Sequence, residues 1–140
     1  PELDDEVFLT DGWLRTGDVA SMDAEGYLKI SGRSKEIIIR GGANISPAEV
    51  ETALSCDLRI RRIAVVAIAD KRLGERLCAC IAPVEPGASP TLDDVKNMAE
   101  QAGRAKYKWP EKIHFIESLP MTSSGKVLRK VLEDQVRTTL

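Results

Sequence analysis

Short segments with the character of β-strands open the chain. Residues 19–22 and 27–31 are two such runs, and the residues between them, Asp23-Ala24-Glu25-Gly26, are typical of a hairpin turn. A third strand is predicted at residues 36–39, where three isoleucines follow a glutamate, and Gly41-Gly42 ends it. The N-terminal part is therefore predicted to contain a hairpin followed by a separate strand.

A helix is predicted directly after this strand. Ser46-Pro47-Ala48-Glu49 has the pattern of a capping box with proline at the first helical position. The helix should therefore run to about Ser55, and its apolar face carries Val50, Ala53 and Leu54.

The rest of the chain alternates strands and helices. Residues 62–69 and 77–84 are apolar on both faces, as in central strands covered by helices. A helix capped by Thr91 is predicted over residues 91–102, a strand over 112–116 and a last helix over 127–136. This order predicts an α+β fold, with helices packed on a small mixed sheet and a β-hairpin preceding it.

Composition excludes several classes of partner. The 140 residues include 20 basic and 22 acidic side chains, a net charge of −2, so there is no basic footprint for nucleic acid or an anionic membrane. No apolar stretch is long enough to span a membrane, and no signal peptide is recognisable. With three cysteines and His114 as the single histidine we expect no metal site, and we expect reduced packing cysteines in a cytoplasmic protein.

Lys126 is the candidate for chemistry. It follows Ser123-Ser124-Gly125 and precedes an amphipathic run, which predicts a lysine at or just before a helix N-terminus. A cation is unfavourable there unless an anion also binds, so this lysine would meet a phosphate or carboxylate. The alternative is a solvated lysine in a flexible loop. A P-loop is excluded, because Pro120 and Val127 stand where that motif needs glycine and Ser or Thr.

Four segments together carry a resemblance to a known family. They are residues 13–18, 32–36, 40–51 and 120–126. In this order they resemble the C-terminal end of the adenylate-forming superfamily, which includes acyl-CoA synthetases, luciferases and peptide-synthetase adenylation domains. The string Gly41-Gly42-Ala43-Asn44-Ile45-Ser46-Pro47-Ala48-Glu49-Val50-Glu51 looks most like bacterial acyl- and aryl-CoA ligases. The resemblance implies that a carboxylate first reacts with ATP to give an acyl-adenylate, which coenzyme A then converts to a thioester. It also implies a small C-terminal domain that rotates between these two half-reactions.

The resemblance assigns nucleotide contacts and a hinge. Asp18 matches the aspartate that accepts hydrogen bonds from the ribose hydroxyls, and Arg33 matches an arginine that steadies the ribose or α-phosphate of ATP or AMP. Lys35 falls at the hinge about which the domain turns. The alternatives are a hairpin-initiating aspartate, a surface arginine and a lysine exposed at a strand edge.

Two further assignments concern coenzyme A and the first half-reaction. Gly41 and Gly42 match a loop that lines the tunnel for the pantetheine arm of coenzyme A, the alternative being simple turn glycines. Lys126 matches the catalytic lysine that contacts both the substrate carboxylate and the α-phosphate. In the family this lysine, in a Pro-x₄-Gly-Lys setting, is also a common acetylation site, and Pro120 and Gly125 fit that setting.

The resemblance also implies how the chain is organised. Residues 1–34 would be the tail of a large N-terminal adenylation domain, and residues 35–140 the mobile C-terminal domain. The N-terminal domain would be the main partner, would bind the small carboxylic acid and Mg²⁺, and would be needed for activity. Without it, the orphan hairpin could dimerise, and residues 1–9 should be poorly ordered or held by intermolecular contacts.

Two other functions are compatible with the same residues. The enzyme could load a carrier protein instead of free coenzyme A, or the chain could be a non-catalytic binding or regulatory module. The basic and aromatic segment 106–110 could suggest stacking on single-stranded nucleic acid, but we interpret it as packing beside the last strand.

Overall fold

An exposed β-hairpin precedes the main sheet. The computed structural model describes residues 7–139, and in it β1 (Asp18–Met22) pairs antiparallel with β2 (Leu28–Arg33). Asp23 closes the turn, because its carboxylate accepts hydrogen bonds from the backbone N–H groups of Glu25 and Tyr27, at 3.1 and 2.9 Å. Such an Asx turn is the usual reason for aspartate at the start of a hairpin connection.

A mixed five-stranded sheet forms the centre of the fold. Its strands are β3 (Ile38–Arg40), β4 (Ala43–Ile45), β5 (Ile60–Asp70), β6 (Gly74–Pro83) and β7 (Lys112–Phe115). The pairing order is β4-β3-β6-β5, and β7 also pairs with β6. Only the β6–β7 pair is parallel, so the sheet is mixed as predicted.

Helices cover both faces of this sheet. Helices α1 (Pro47–Leu54) and α2 (Leu92–Gln101) pack on one face, and α3 (Arg129–Thr139) packs on the other. Successive strand residues point to opposite faces, so Val65 joins the first core while Ala64 and Val66 join the second. The two cores confirm that helices cover both β5 and β6. Strand β6 is central, since it pairs with β3, β5 and β7, but the prediction that β5 is central is wrong, because β5 stands at the end of the strand order in the described residues.

The α+β fold class is confirmed, and several details of the predicted elements are corrected. Thr91 forms the predicted cap, in a reciprocal box with Asp94. The capping box predicted at residues 46–49 is wrong, because the Ser46 hydroxyl instead donates to the Ser31 carbonyl in the hairpin. A hydrogen bond to a neighbouring segment has replaced the local one.

Two element boundaries differ from prediction, and one strand was missed. Residues Ser34–Glu36 form a 3-10 turn, and the strand begins only at Ile38. Strand β4 was not predicted. The last helix begins at Arg129 and not at Val127, so Lys126 lies in the preceding loop, three residues before the helix.

The remaining predictions about the fold concern the cysteines and the N-terminal residues. Cys78 and Cys80 are buried packing residues as predicted, but Cys56 is exposed. Residues 1–6, part of the segment 1–9 predicted to be poorly ordered or held by intermolecular contacts, lie outside the described residues. The described part of that segment pairs locally, since Leu9 N–H donates to the Trp13 carbonyl at 2.8 Å. Within residues 7–139, no helix is long and apolar enough to cross a membrane.

Candidate active site

Asp18 and Arg33 face each other at the open end of the hairpin. They are register partners on β1 and β2, and Arg33 Nε lies 3.2 Å from Asp18 Oδ1. The Arg33 side chain is 56% exposed, so the pair stands at the surface. An exposed ion pair of this kind contributes little to stability, which leaves both groups available to a ligand.

A cleft of about 470 Å³ lies beside this pair. Its lining combines the segment 15–17 with the segment 33–36, and so includes the predicted hinge residue Lys35. The two segments are joined by the backbone, because Ser34 N–H donates to the Gly17 carbonyl at 2.8 Å. Lys35 is exposed in the 3-10 turn and does not lie on a strand edge.

Gly41 and Gly42 form the turn between β3 and β4. Arg40 pairs with Ala43, so these two glycines are the whole connection. Their φ angles are +56° and +82°, which identifies a type I′ hairpin turn, where both central residues need positive φ. Both are exposed at the tip. The turn accounts for the glycines and also presents bare backbone at the surface.

Lys126 extends from a loop whose backbone is fixed at both ends. Its N–H donates to Thr122 Oγ1 at 3.1 Å, and its carbonyl accepts from Thr122 N–H at 2.7 Å. Gly125 makes the turn possible with φ of +86°. The flanking bridge between Met121 and Val127 anchors the loop on the second core. Lys126 itself is exposed and forms no ion pair with the described residues 7–139.

Arg129, three residues after Lys126, lies in a half-buried cluster of charges. Its Nη1 is 2.6 Å from Glu51 Oε1 and 2.9 Å from the Val65 carbonyl, and its Nε is 3.4 Å from Glu36 Oε2. Burial by itself would lower the pKa of Arg129, but hydrogen bonds and charges of Glu51 and Glu36 outweigh it and raise that pKa above its ordinary value. The cluster ties α1, β5 and the 3-10 turn to the start of α3.

Glu49, which lies on α1 like Glu51, forms a second cluster of charges. Its carboxylate accepts from Arg104 Nη1 at 2.9 Å and from Lys108 Nζ at 3.0 Å. Beside them, Trp109 packs against the first core and donates its indole N–H to the Arg104 carbonyl. The basic and aromatic segment 106–110 is thus used within the fold, as the sequence analysis interpreted it.

Comparison with known proteins identifies the family. Residues 49–126, more than half of the chain, match the sequence model of the AMP-binding enzyme C-terminal domain. The chain belongs to this family. The exposed groups described above are therefore compared with those of proteins that carry an AMP-binding C-terminal domain.

Relatives of this AMP-binding C-terminal domain are acyl-CoA ligases. The chain is 44% identical over its whole length to the medium-chain fatty-acid–CoA ligase of Escherichia coli (strain K12), and covers 25% of that protein. It is 39% identical to the mitochondrial medium-chain acyl-CoA ligase of Bos taurus, again over its whole length, and covers 22% of it. The chain spans about a quarter of the length of these curated relatives.

A solved relative has the same arrangement of elements. The o-succinylbenzoate CoA synthetase of Bacillus subtilis, in complex with its acyl-adenylate intermediate, superposes with a TM-score of 0.86 at 34% identity. The alignment covers 96% of this chain and 27% of that one. The hairpin is thus included in the likeness together with the AMP-binding C-terminal domain proper.

The structure brings some of the predicted site residues together and separates others. Asp18, Arg33 and Lys35 share one region, whereas Gly41 and Gly42 occupy the far end of β3 and Lys126 a loop beside α3. Among residues 7–139, no group of three or more His, Cys, Asp or Glu side chains could hold a metal ion. Sequence reasoning missed the Glu51–Arg129 cluster, although Arg129 shares a helix face with the buried Leu132 and Val136.

Proposed function

We propose that the parent protein is an ATP-dependent acyl-CoA synthetase, of which this chain is the C-terminal part. The observation that carries the proposal is the alignment of the entire chain with medium-chain acyl-CoA ligases at 39–44% identity. Residues 1–34 would be the tail of the N-terminal adenylation domain, and residues 35–140 the mobile domain. The cytoplasmic location and a dimer through the hairpin stay predictions.

The first half-reaction would use Lys126. A carboxylate oxygen of the acid attacks the α-phosphorus of ATP, the bond to the β-phosphate oxygen breaks, and pyrophosphate leaves. Negative charge is concentrated where the two anions meet, so the Lys126 ammonium group would stabilise the transition state more than the ground state. Asp18 would accept hydrogen bonds from the ribose hydroxyls, and Arg33 would contact the ribose or α-phosphate. Mg²⁺ accompanies ATP and would be held by the N-terminal domain.

The second half-reaction would use the opposite end of β3. The sulfur of coenzyme A, after losing its proton, attacks the acyl carbon, and AMP leaves with the electron pair of the broken C–O bond. Gly41 and Gly42 would lie along the pantetheine arm, because backbone without a Cβ allows a thin ligand to approach closely. Rotation about Lys35 would exchange the two arrangements.

The proposal is tested on the full-length parent with a panel of medium-chain and aryl carboxylic acids. We expect pyrophosphate release that depends on the acid and ATP, followed by a thioester when coenzyme A is added. The isolated 140-residue chain should release none. No acid-dependent pyrophosphate release from the parent would refute the proposal, and transfer to a carrier protein but not to coenzyme A would change the acceptor.

A further inference from the structure

Four segments of the small domain meet at the Arg129 side chain. It contacts Glu51 on α1, the Val65 carbonyl on β5 and Glu36 in the 3-10 turn, and it belongs to α3 itself. Glu51 Oε1 also accepts from Val65 N–H at 2.8 Å. Since Arg129 and Glu51 are only 19% and 18% exposed, solvent screens their attraction weakly.

We propose that Arg129 is a positioning residue for Lys126 and fixes the lysine loop relative to the hinge. The inference rests on the proposed function, since it concerns the placement of the lysine assigned to the first half-reaction. It differs from a direct catalytic role, because Arg129 is occupied by protein groups and would act only through the loop.

A short and well-bonded path connects the two residues. Only Val127 and Leu128 separate them, and both are held: Val127 by its bridge to Met121, and Leu128 by donating its N–H to the Pro120 carbonyl at 2.8 Å. The backbone of Lys126 is itself hydrogen-bonded on both sides to Thr122. Displacement of the Arg129 end would therefore be passed to the base of the lysine.

The contact between Arg129 and the hinge is equally direct. Glu36 follows Lys35, the residue about which the domain is proposed to turn, and it contacts Arg129 Nε at 3.4 Å. Arg129 thus holds the first residue after the pivot and the lysine loop in one rigid piece. A rotation at Lys35 would then place Lys126 reproducibly, and positioning errors of about 1 Å can reduce a rate by about 100-fold.

A second ion pair, whose carboxylate also lies on α1, provides a matched control. Glu49 pairs with Arg104 with similar exposure, 27% and 30%, but contacts neither the hinge nor the lysine loop. The double variant Arg129→Met/Glu51→Gln removes both charges of the first pair and leaves the 41% exposed Glu36 without its arginine. Arg104→Met/Glu49→Gln removes both charges of the second pair and leaves Lys108 without its carboxylate.

The experiment measures two rates in the full-length parent. One is acid-dependent pyrophosphate release, and the other is thioester formation from preformed acyl-adenylate and coenzyme A. For Arg129→Met/Glu51→Gln we expect pyrophosphate release to fall by about 10- to 100-fold, with no parallel fall in thioester formation. Arg129→Lys, which keeps the charge but loses the fork geometry, should give an intermediate value. For Arg104→Met/Glu49→Gln the ratio of the two rates should stay that of the unmodified enzyme.

Equal losses in both half-reactions, or the same rate ratio in both double variants, would overturn the positioning role. If the Arg129 double variant does not fold, Glu36→Gln carries the test, because Glu36 is 41% exposed and its loss removes only the hinge contact. A selective, smaller fall in pyrophosphate release supports the proposal, and an unchanged rate ratio overturns it. Lys126→Ala is assayed in parallel: if it loses pyrophosphate release while the Arg129 variants do not, the positioning role alone fails. Absence of both activities from the unmodified parent would show that the proposed function fails.

Discussion

Asp18 and Arg33 are partners across the hairpin, with the guanidinium Nε 3.2 Å from the carboxylate. Strand pairing thus places side by side two residues that the family resemblance assigned separately to the nucleotide. The Arg33 side chain is 56% exposed and that of Asp18 30%, so a ligand can reach both groups of the pair.

Replacing Asp18 should weaken nucleotide binding selectively. In the full-length parent, Asp18→Asn removes charge-assisted hydrogen bonds to the ribose, each worth roughly 1.5–3 kcal/mol, so the KM for ATP should rise by about 10-fold or more. Glu25→Gln, an acid in the hairpin turn, is the matched control and should leave it unchanged. An unaltered KM for ATP in Asp18→Asn would remove Asp18 from the nucleotide site.

Gly32 is needed where the hairpin meets α1. A Cβ at this position would lie 2.5 Å from Ser46 Oγ, the hydroxyl that donates to the Ser31 carbonyl. Gly32→Ala should therefore destabilise the chain by about 1–3 kcal/mol, and adding Ser46→Ala should recover part of that loss. Thermal unfolding of the two single variants and the double variant measures this coupling. Simple additivity of the two single effects would argue against the contact.

Two substitutions of Gly41 can distinguish a role in the conformation of the turn from a role in ligand binding. Gly41→Val places a β-branched residue at φ of +56° and should lower the free energy of unfolding by about 1–2 kcal/mol, whereas Gly41→Asn, which tolerates this region, should change it little. If the turn lies along coenzyme A, Gly41→Asn should still slow thioester formation from acyl-adenylate. A normal rate of thioester formation in that variant would mean that the glycines serve the turn conformation and not the binding of coenzyme A.

Acid should weaken the capping interaction of α2. The Thr91 N–H, and next Arg59, hold the pKa of Asp94 below its ordinary value. A group whose pKa is depressed by folding stabilises the folded state above its unfolded pKa, and this contribution is lost as the pH falls through about 4 and below. The melting temperature should therefore drop less steeply over this range in Asp94→Asn than in Asp93→Asn. Parallel profiles for the two variants would contradict the assignment.

Local patterns in the sequence were sufficient for most of the fold. Runs that are apolar on both faces predicted β5 and β6, and the Thr91 cap predicted α2, because these elements are determined by neighbouring residues and by burial. Strand β4 was missed because its three residues follow a two-glycine turn and carry no periodicity. Its pairing with β3 comes from the turn and the sheet.

Local sequence patterns did not predict the polar contacts between distant parts of the chain. Ser46 has the sequence of a helix cap, yet its hydroxyl bonds to Ser31 across the chain, and Glu49 bonds to Arg104. Glu51 and Arg129 are 78 positions apart, so nothing in the spacing connects them. The available signal was an arginine on the buried face of α3, which requires a partner. The loop position of Lys126 likewise depends on its bridge to the core.

The most direct test of the account is Lys126→Ala in the full-length parent, with the exposed Lys130→Ala as control. The account predicts that Lys126→Ala slows acid-dependent pyrophosphate release by about 100- to 1,000-fold and leaves thioester formation from preformed acyl-adenylate and coenzyme A intact. Lys130→Ala should leave both rates unchanged. Retention of both activities in Lys126→Ala would contradict the account.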